Sequence, residues 1–315
     1  MSMSTPAYIL VNPYCHQGRG WKRWLSIKAE VLKEIPGAKE ICSEKGMDVK
    51  GEIKRLLDFN NDACLISAGG DGSIHALVNV LLNTPNREGR YTPLGAIGLG
   101  SSNDFLKPFS RYINNVPVRI NMAKPYMFQD AGKLKYLDSN NELKEKFFIV
   151  NASFGVTAEG NWNFNNPGPV LRWLKKNTTG LAITYTAIKT ILYYKNQLAT
   201  IRFNGDEKQS QISNINILKI PYVSGTLHYK QEVLPDDGRL GLNICSDMNK
   251  RELLRTLFNL EKGRFHEDQK CISTFTDHFQ LQSNSPVVFE CDGETEKSTY
   301  VDISLLPRAV QLLGK

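Results

Sequence analysis

The strongest constraint on this chain is the run Cys64-Leu65-Ile66-Ser67-Ala68-Gly69-Gly70-Asp71-Gly72-Ser73, followed by Ile74-His75-Ala76-Leu77-Val78-Asn79-Val80-Leu81-Leu82. A short apolar run predicts a buried strand, the glycine cluster a turn, and the apolar-periodic segment a helix. Three glycines in four positions let the backbone bend tightly and approach a ligand closely. Ser73 is the expected N-cap, and the helix start offers free N–H groups and a positive dipole end, where phosphate binds well. Asp71 would repel a phosphate unless a Mg²⁺ lies between them, because hard cations take carboxylate and phosphate oxygens together. Read alone, the run also fits a plain strand-turn-helix joint, so the rest of the chain must decide.

At 315 residues the chain is long enough for one or two domains with a substantial core. Its 41% hydrophobic and 23% charged content exclude a disordered or fibrous class. The net charge of +7 is compatible with anionic ligands or membrane surfaces without requiring them. The six cysteines (Cys15, Cys42, Cys64, Cys245, Cys271, Cys291) are scattered, which argues against thiolate metal sites and a disulfide framework. No secretory signal pattern and no run of about 18 apolar residues is found, so a cytoplasmic protein without a transmembrane helix is expected.

In chain order, Ala7 to Val11 predicts a first strand ended by Asn12-Pro13. A glycine-bearing turn leads into a helix with Trp21, Trp24, Leu25, Val31, Leu32 and Ile35 on one side. A second strand ends at Ile41-Cys42, and Val49, Ile53, Leu56 and Leu57 mark another amphipathic helix. Pro93 to Gly100 forms a fourth strand and turn before Ser101-Ser102-Asn103-Asp104-Phe105. Strands alternating with helices predict a parallel, Rossmann-like sheet whose ligand lies beyond the C-terminal strand ends. Around residue 125 the pattern changes. Short strands joined by polar turns (133–137, 146–151, 199–203, 212–220, 240–245, 275–281, 287–290) predict a mostly antiparallel sandwich, interrupted by helices near 181–194 and 251–260. The expected fold class is α/β plus all-β: residues 1–125 as a nucleotide-binding domain and 126–315 as a β-rich substrate domain. The last strand, around 301–306, is free to return and close the fold.

From Gly160 to Gly205 six basic residues (Arg172, Lys175, Lys176, Lys189, Lys195, Arg202) occur with no acidic one, among Trp162, Trp173, Tyr185, Tyr193 and Tyr194. This mixture suits anionic lipid headgroups, and equally a helix with one apolar and one solvated basic face. No nucleic-acid-binding motif is present.

With Gly69-Gly70-Asp71-Gly72-Ser73 and Gly100-Ser101-Ser102-Asn103-Asp104-Phe105 the chain resembles the diacylglycerol kinase catalytic-domain family, in its bacterial soluble lipid-kinase branch, related to sphingosine and ceramide kinases. Further elements follow in the same order: Asn12-Pro13, Asp130-Ala131-Gly132-Lys133, Phe148 to Gly155 around Asn151, Leu234-Pro235-Asp236-Asp237-Gly238-Arg239-Leu240, and Cys291-Asp292-Gly293-Glu294. One such motif is weak evidence; five more in order are strong. The resemblance implies an ATP-dependent lipid kinase with the nucleotide in a cleft between two domains. It implies Glu294 as general base and Asp71 as the acid that organises the nucleotide's Mg²⁺. It further implies phosphate contacts from Asn12, Gly69, Gly70, Gly72, Ser73 and Ser101, with Asn103, Asp104 and Asp130 in support. A structural Mg²⁺ would sit on Asp237 with backbone oxygens near Leu234 and Arg239. The lipid acceptor, contact with the inner face of the membrane and an open oligomeric state, a homodimer included, complete the expectation.

The chemistry agrees independently. Phosphoryl transfer needs positioning, cation screening and a group that takes the nucleophile's proton, and a carboxylate can do the last. The chain departs from the family at Cys15-His16, where Ser-Gly is usual, and carries Ser73 and Ser101 where Thr is usual. A soluble-acceptor kinase of the NAD kinase type and a non-catalytic lipid- or nucleotide-binding protein are the rival readings.

Overall fold

A computed structural model describes residues 6–44, 46–59, 63–84, 91–123 and 126–314. They fall into two compact units: one runs to Gln129 and includes the segment from Arg308, and the other is Asp130–Pro307. The boundary expected at residue 125 falls on residues 124–125, outside the described residues.

In the first unit β1 (Ala7–Val11), β2 (Lys39–Cys42), β3 (Cys64–Gly69) and β4 (Leu94–Gly98) run parallel in the order β2-β1-β3-β4. Between them lie α1 (Arg19–Glu34), α2 (Val49–Phe59) and α3 (Asp71–Asn83). Every residue of β3 and β4 is buried, as befits central strands covered on both faces. A short hairpin of β5 (Tyr112–Ile113) and β6 (Val116–Arg119) sets β6 antiparallel against β4, and Leu312 pairs in parallel with Leu94. On α1 the buried side chains are Trp24, Ile27 and Val31; Trp21 and Leu25, expected on the same face, are exposed. The core of this unit accepts one column spaced i, i+3, i+7, with Leu32 partly buried beside it, while Trp21 and Leu25 fall outside that column.

The second unit contains β7 (Met127–Leu137), which enters it from the first, β8 (Leu143–Phe148), β9 (Asn151–Gly155), β10 (Gln197–Phe203) and β11 (Asp206–Leu218). After these come β12 (Tyr222–Val223), β13 (Leu227–His228), β14 (Leu240–Ser246), β15 (Cys271–Thr276), β16 (His278–Cys291) and β17 (Glu294–Leu312). Pairing along β15-β14-β11-β10-β16-β17 is antiparallel within the unit. β11 and β16 each also pair with β9, through their last residues, while β10 pairs with the first part of each. Their inward residues, among them Ile215, Phe279 and Phe289, meet Phe148, Phe154 and Leu242 in one core.

Four helices lie in this unit rather than the two expected: α4 (Val156–Asn165), α5 (Pro169–Asn177), α6 (Thr179–Tyr193) and α7 (Lys250–Glu261). The first is rich in Asn with an internal Gly, residues that favour helix only when packing supports it. The strand expected over 275–281 is broken at Asp277, where β15 turns into β16. No helix among the described residues is long and apolar enough to cross a membrane.

Candidate active site

In the first unit the predicted turn lies at the C-terminal ends of β1, β3 and β4. Helix α3 begins at Asp71, with Gly70 in the cap position; Ser73, expected as the N-cap, is already inside the helix. Its hydroxyl accepts a hydrogen bond from Asn12 Nδ2 at 3.0 Å, joining β1 to α3. A Cβ on Gly69 would lie 2.3 Å from that hydroxyl, so the space belongs to Ser73. A Cβ on Gly100 would lie 2.5 Å from Gly70 Cα, so two turns meet backbone to backbone. The Gly69 carbonyl accepts the N–H groups of Leu99 (2.8 Å) and Gly100 (3.2 Å).

The Asp71 carboxylate, half-buried, accepts the Phe105 N–H at 3.1 Å, which fixes its direction. Asn103 is buried in the left-handed region at φ 50°; its Oδ1 accepts the Gly100 N–H, and its Nδ2 donates to the Gly98 and Gly100 carbonyls. Its amide therefore shapes the loop. Asp104 is buried and ion-paired with Lys107 at 2.6 Å. Ser101 is exposed and Gly72 lies exposed at the helix start.

Arg23, which no motif singles out, donates to the carbonyls of Leu99 (3.1 Å) and Gly100 (2.7 Å). His16 Nδ1 lies 3.3 Å from the Gly100 carbonyl, so His16 packs onto this loop rather than standing free. Burial pushes the Cys15 thiol up to about 11, which keeps it neutral and unreactive.

In the second unit β16 and β17 are joined by Asp292-Gly293, both with positive φ (47° and 92°), as a two-residue hairpin of the mirror-image type demands. The Asp292 carboxylate accepts three successive N–H groups, of Ile149 (3.0 Å), Val150 (2.9 Å) and Asn151 (3.0 Å). Glu290, fully buried, accepts from Asn151 Nδ2 (2.9 Å), the Ser153 hydroxyl (2.6 Å) and the Gly293 N–H. Burial raises its carboxyl to about 7 against the opposing pull of Ser153 and the Gly293 N–H. Asn165 of α4 donates to the Gly293 carbonyl at 2.9 Å. The turn is thus gripped on three sides, and Glu294 emerges exposed as the first residue of β17.

The acidic loop differs from expectation. Lys219, at the end of β11, is 1% exposed, and its ammonium donates to Asp237 Oδ1 (2.8 Å), the Arg239 carbonyl (2.8 Å) and Asp130 Oδ2 (3.1 Å). The other contacts on Asp237 are N–H donors from Arg239 and Leu234. Although burial alone would raise it, the Lys219 hydrogen bond and charge hold the Asp237 carboxyl below its usual range. Leu234, Asp237 and Arg239 therefore do not fit the structural Mg²⁺ implied by the resemblance, because an ammonium already holds Asp237 Oδ1 and the Arg239 carbonyl, two of the oxygens it would need. Among the described residues no group of three His, Cys, Asp or Glu side chains is arranged to hold a metal.

Helices α4, α5 and α6 enclose a cavity of about 560 Å³ lined by Glu159, Val170, Leu171, Tyr185, Lys189 and Tyr194 among others. Burial raises the Glu159 carboxyl above its ordinary value, with Lys297 pulling the other way.

Residues 6–123 match the family model described as the diacylglycerol kinase catalytic domain, and residues 153–314 match the YegS C-terminal NAD kinase beta sandwich-like domain. Among curated proteins the chain is 26% identical over 277 residues to a "Putative lipid kinase" of Staphylococcus carnosus, covering 86% of this chain and 84% of the relative. It is 23% identical over 321 residues to a protein of the same description from Staphylococcus epidermidis, covering 95% and 94%. Among solved structures, one titled a diacylglycerol kinase, from Bacillus anthracis, superposes with a TM-score of 0.68 at 15% identity, covering 98% of this chain and 97% of that one. A second from the same organism, titled a putative diacylglycerol kinase, gives a TM-score of 0.72 at 18% identity, covering 100% and 97%. At these identities the solved structures establish the fold.

Proposed function

The chain belongs to the diacylglycerol kinase catalytic-domain family, with the YegS-type C-terminal sandwich, and from that premise we propose that it transfers the γ-phosphate of ATP to a lipid hydroxyl. The observation that carries this reading is the gripped Asp292-Gly293 turn, which presents Glu294 to solvent on a rigid base. Phosphoryl transfer depends mainly on positioning and charge stabilisation, and the residues that remain exposed above these scaffolds have the required chemistry. Glu294 takes the proton of the acceptor hydroxyl as the new O–P bond forms and the bond to the ADP oxygen breaks. Asn12, Gly69, Gly70, Gly72, Ser73 and Ser101 surround the nucleotide phosphates, with the positive end of α3 facing them. Asn103 and Asp104 support that loop from within.

Asp71 offers a half-exposed carboxylate, which would hold the Mg²⁺ that accompanies ATP. When bound, that ion neutralises charge on the transferring phosphate.

The acceptor enters through the α4–α6 cavity, whose lining joins apolar walls to polar groups, as lipid and headgroup together require. Helices α5 and α6 expose Val170, Trp173, Leu181, Leu192 and Tyr193 beside exposed Arg172, Lys176 and Lys189, a mixture that suits an anionic membrane surface. Lys175 is turned inward, donating to the Phe164 carbonyl at 3.0 Å and lying 4.0 Å over its ring, so its exposed neighbours make the headgroup contacts.

The test is transfer of labelled γ-phosphate from Mg-ATP to a panel of lipids in mixed micelles, with NAD as a soluble acceptor and Glu294→Gln in parallel. The expected result is one phosphorylated lipid and a loss of about 10²–10⁴ in kcat for the variant at unchanged Tm. Product on NAD alone would replace the lipid by a soluble acceptor. Nucleotide binding without any product would overturn the kinase reading.

A further inference from the structure

We propose that the Lys219 ammonium is the permanent cation of the acidic loop 234–239, and that this loop takes no divalent metal. The inference stands on the geometry of the second unit and does not depend on the proposed reaction.

An ammonium has three N–H donors and no acceptor. Lys219 has three acceptors around it, from Asp237, Arg239 and Asp130, at 2.8, 2.8 and 3.1 Å, and its side chain is fully out of water. Every donor is matched, the condition under which a buried charge is tolerated. Further contacts on the carboxylates come from donors as well. Gly238 N–H lies on Asp130 Oδ2 at 2.9 Å, and Arg239 N–H lies on Asp237 Oδ1 at 3.2 Å. A metal ion needs oxygen lone pairs, and on Asp237 and on Asp130 Oδ2 N–H groups already face them.

Charge leads to the same conclusion. Two buried carboxylates are balanced by Lys219 within and by the half-exposed Arg239 guanidinium, 3.5 Å from Asp237 Oδ2, at the rim. A divalent ion on the same oxygens would stand beside the ammonium and be repelled by it. The backbone that carries the lysine is fixed as well, because its own N–H and that of Ile220 both donate to the Val150 carbonyl, at 2.8 and 3.0 Å. The root of the side chain is therefore pinned to the segment whose N–H groups Asp292 holds.

The test is thermal unfolding of the full chain without nucleotide, in excess MgCl₂ and in excess EDTA, with metal content measured on the purified protein. Wild type is expected to unfold at the same temperature in both and to carry no stoichiometric divalent ion. Lys219→Met, which keeps the volume but frees the oxygens, is expected to lower Tm by on the order of 10 °C in EDTA and to regain part of it with Mg²⁺. A Mg²⁺-dependent rise in wild-type Tm that survives Asp71→Asn and disappears in Asp237→Asn would overturn the proposal. So would a stoichiometric metal lost on Asp237→Asn. A rise abolished by Asp71→Asn alone assigns the ion to the first unit and supports it. If Lys219→Met does not fold, the wild-type comparison and the metal content decide.

Discussion

Asp292 satisfies three consecutive backbone N–H groups with one carboxylate, and this is what makes the turn before Glu294 rigid. Asp292→Ala would strand those donors in a buried environment, at about 1–3 kcal/mol for each one left unpaired. The variant is expected to lose several kcal/mol in denaturant unfolding, and Asp292→Asn clearly less, because an amide oxygen still accepts. Equal losses for the two would show that charge, not hydrogen bonding, holds the turn. Glu290 beneath it gives a pH signature. Its carboxyl keeps a proton to about 7 when folded, against 4.5 as the ordinary value, so the folded chain binds more protons between these limits. Its contribution to stability is therefore complete below about 4.5 and is lost as pH rises to about 7. Glu290→Gln should remove that slope, on the order of 3 kcal/mol over the interval, from unfolding curves taken between pH 5 and 8. An unchanged slope would place the titration elsewhere.

At the scale of elements, the joint after β3 works because two turns touch without side chains. Gly100→Ala would drive a Cβ to 2.5 Å from Gly70 Cα and 2.9 Å from Asn103 Oδ1, and neither is the loose end of a flexible side chain. A cost of about 2–3 kcal/mol in stability is expected, together with weakened nucleotide binding. Gly70→Ala, with its nearest contact at 3.3 Å, should cost less than half of that. Chemical denaturation of the two variants side by side checks the order. The reverse order would mean that the β4 turn yields more readily than its packing implies. The helix α4 belongs to the same scale: one residue near its end, Asn165, supports the turn before Glu294, while its middle lines the cavity. An element with little intrinsic helical preference is thus held by what it contacts.

For the whole molecule, the proposed membrane contact rests on the exposed apolar and basic residues of α5 and α6. Each exposed Lys near an anionic surface contributes about 1 kcal/mol. Lys176→Glu with Lys189→Glu should therefore weaken sedimentation with anionic vesicles by roughly tenfold or more, with the loss reduced at high salt. Trp173→Ala should weaken it through lost apolar burial and be less sensitive to salt. Binding unaffected by all three substitutions would assign the membrane contact to another face.

Local pattern was enough for the alternating strands and helices of the first unit, the glycine turn after β3 and the Asp-Gly turn before Glu294. Each depends on periodicity or on backbone conformations that a few neighbouring residues specify by themselves. The cap of α3, the inward turn of Lys175 and the loop-shaping role of Asn103 depend on which surface each residue packs against, so local pattern misjudged or missed them. Arg23, Glu290 and Lys219 lay further from reach, since each has a partner far along the chain, 77, 139 and 89 positions away. A lysine at the end of a strand reads as an ordinary surface charge until folding brings Asp130, Asp237 and the Arg239 carbonyl around it. Residue types and their local spacing follow from the chain itself, whereas the satisfaction of a buried charge follows only from what tertiary packing assembles around it.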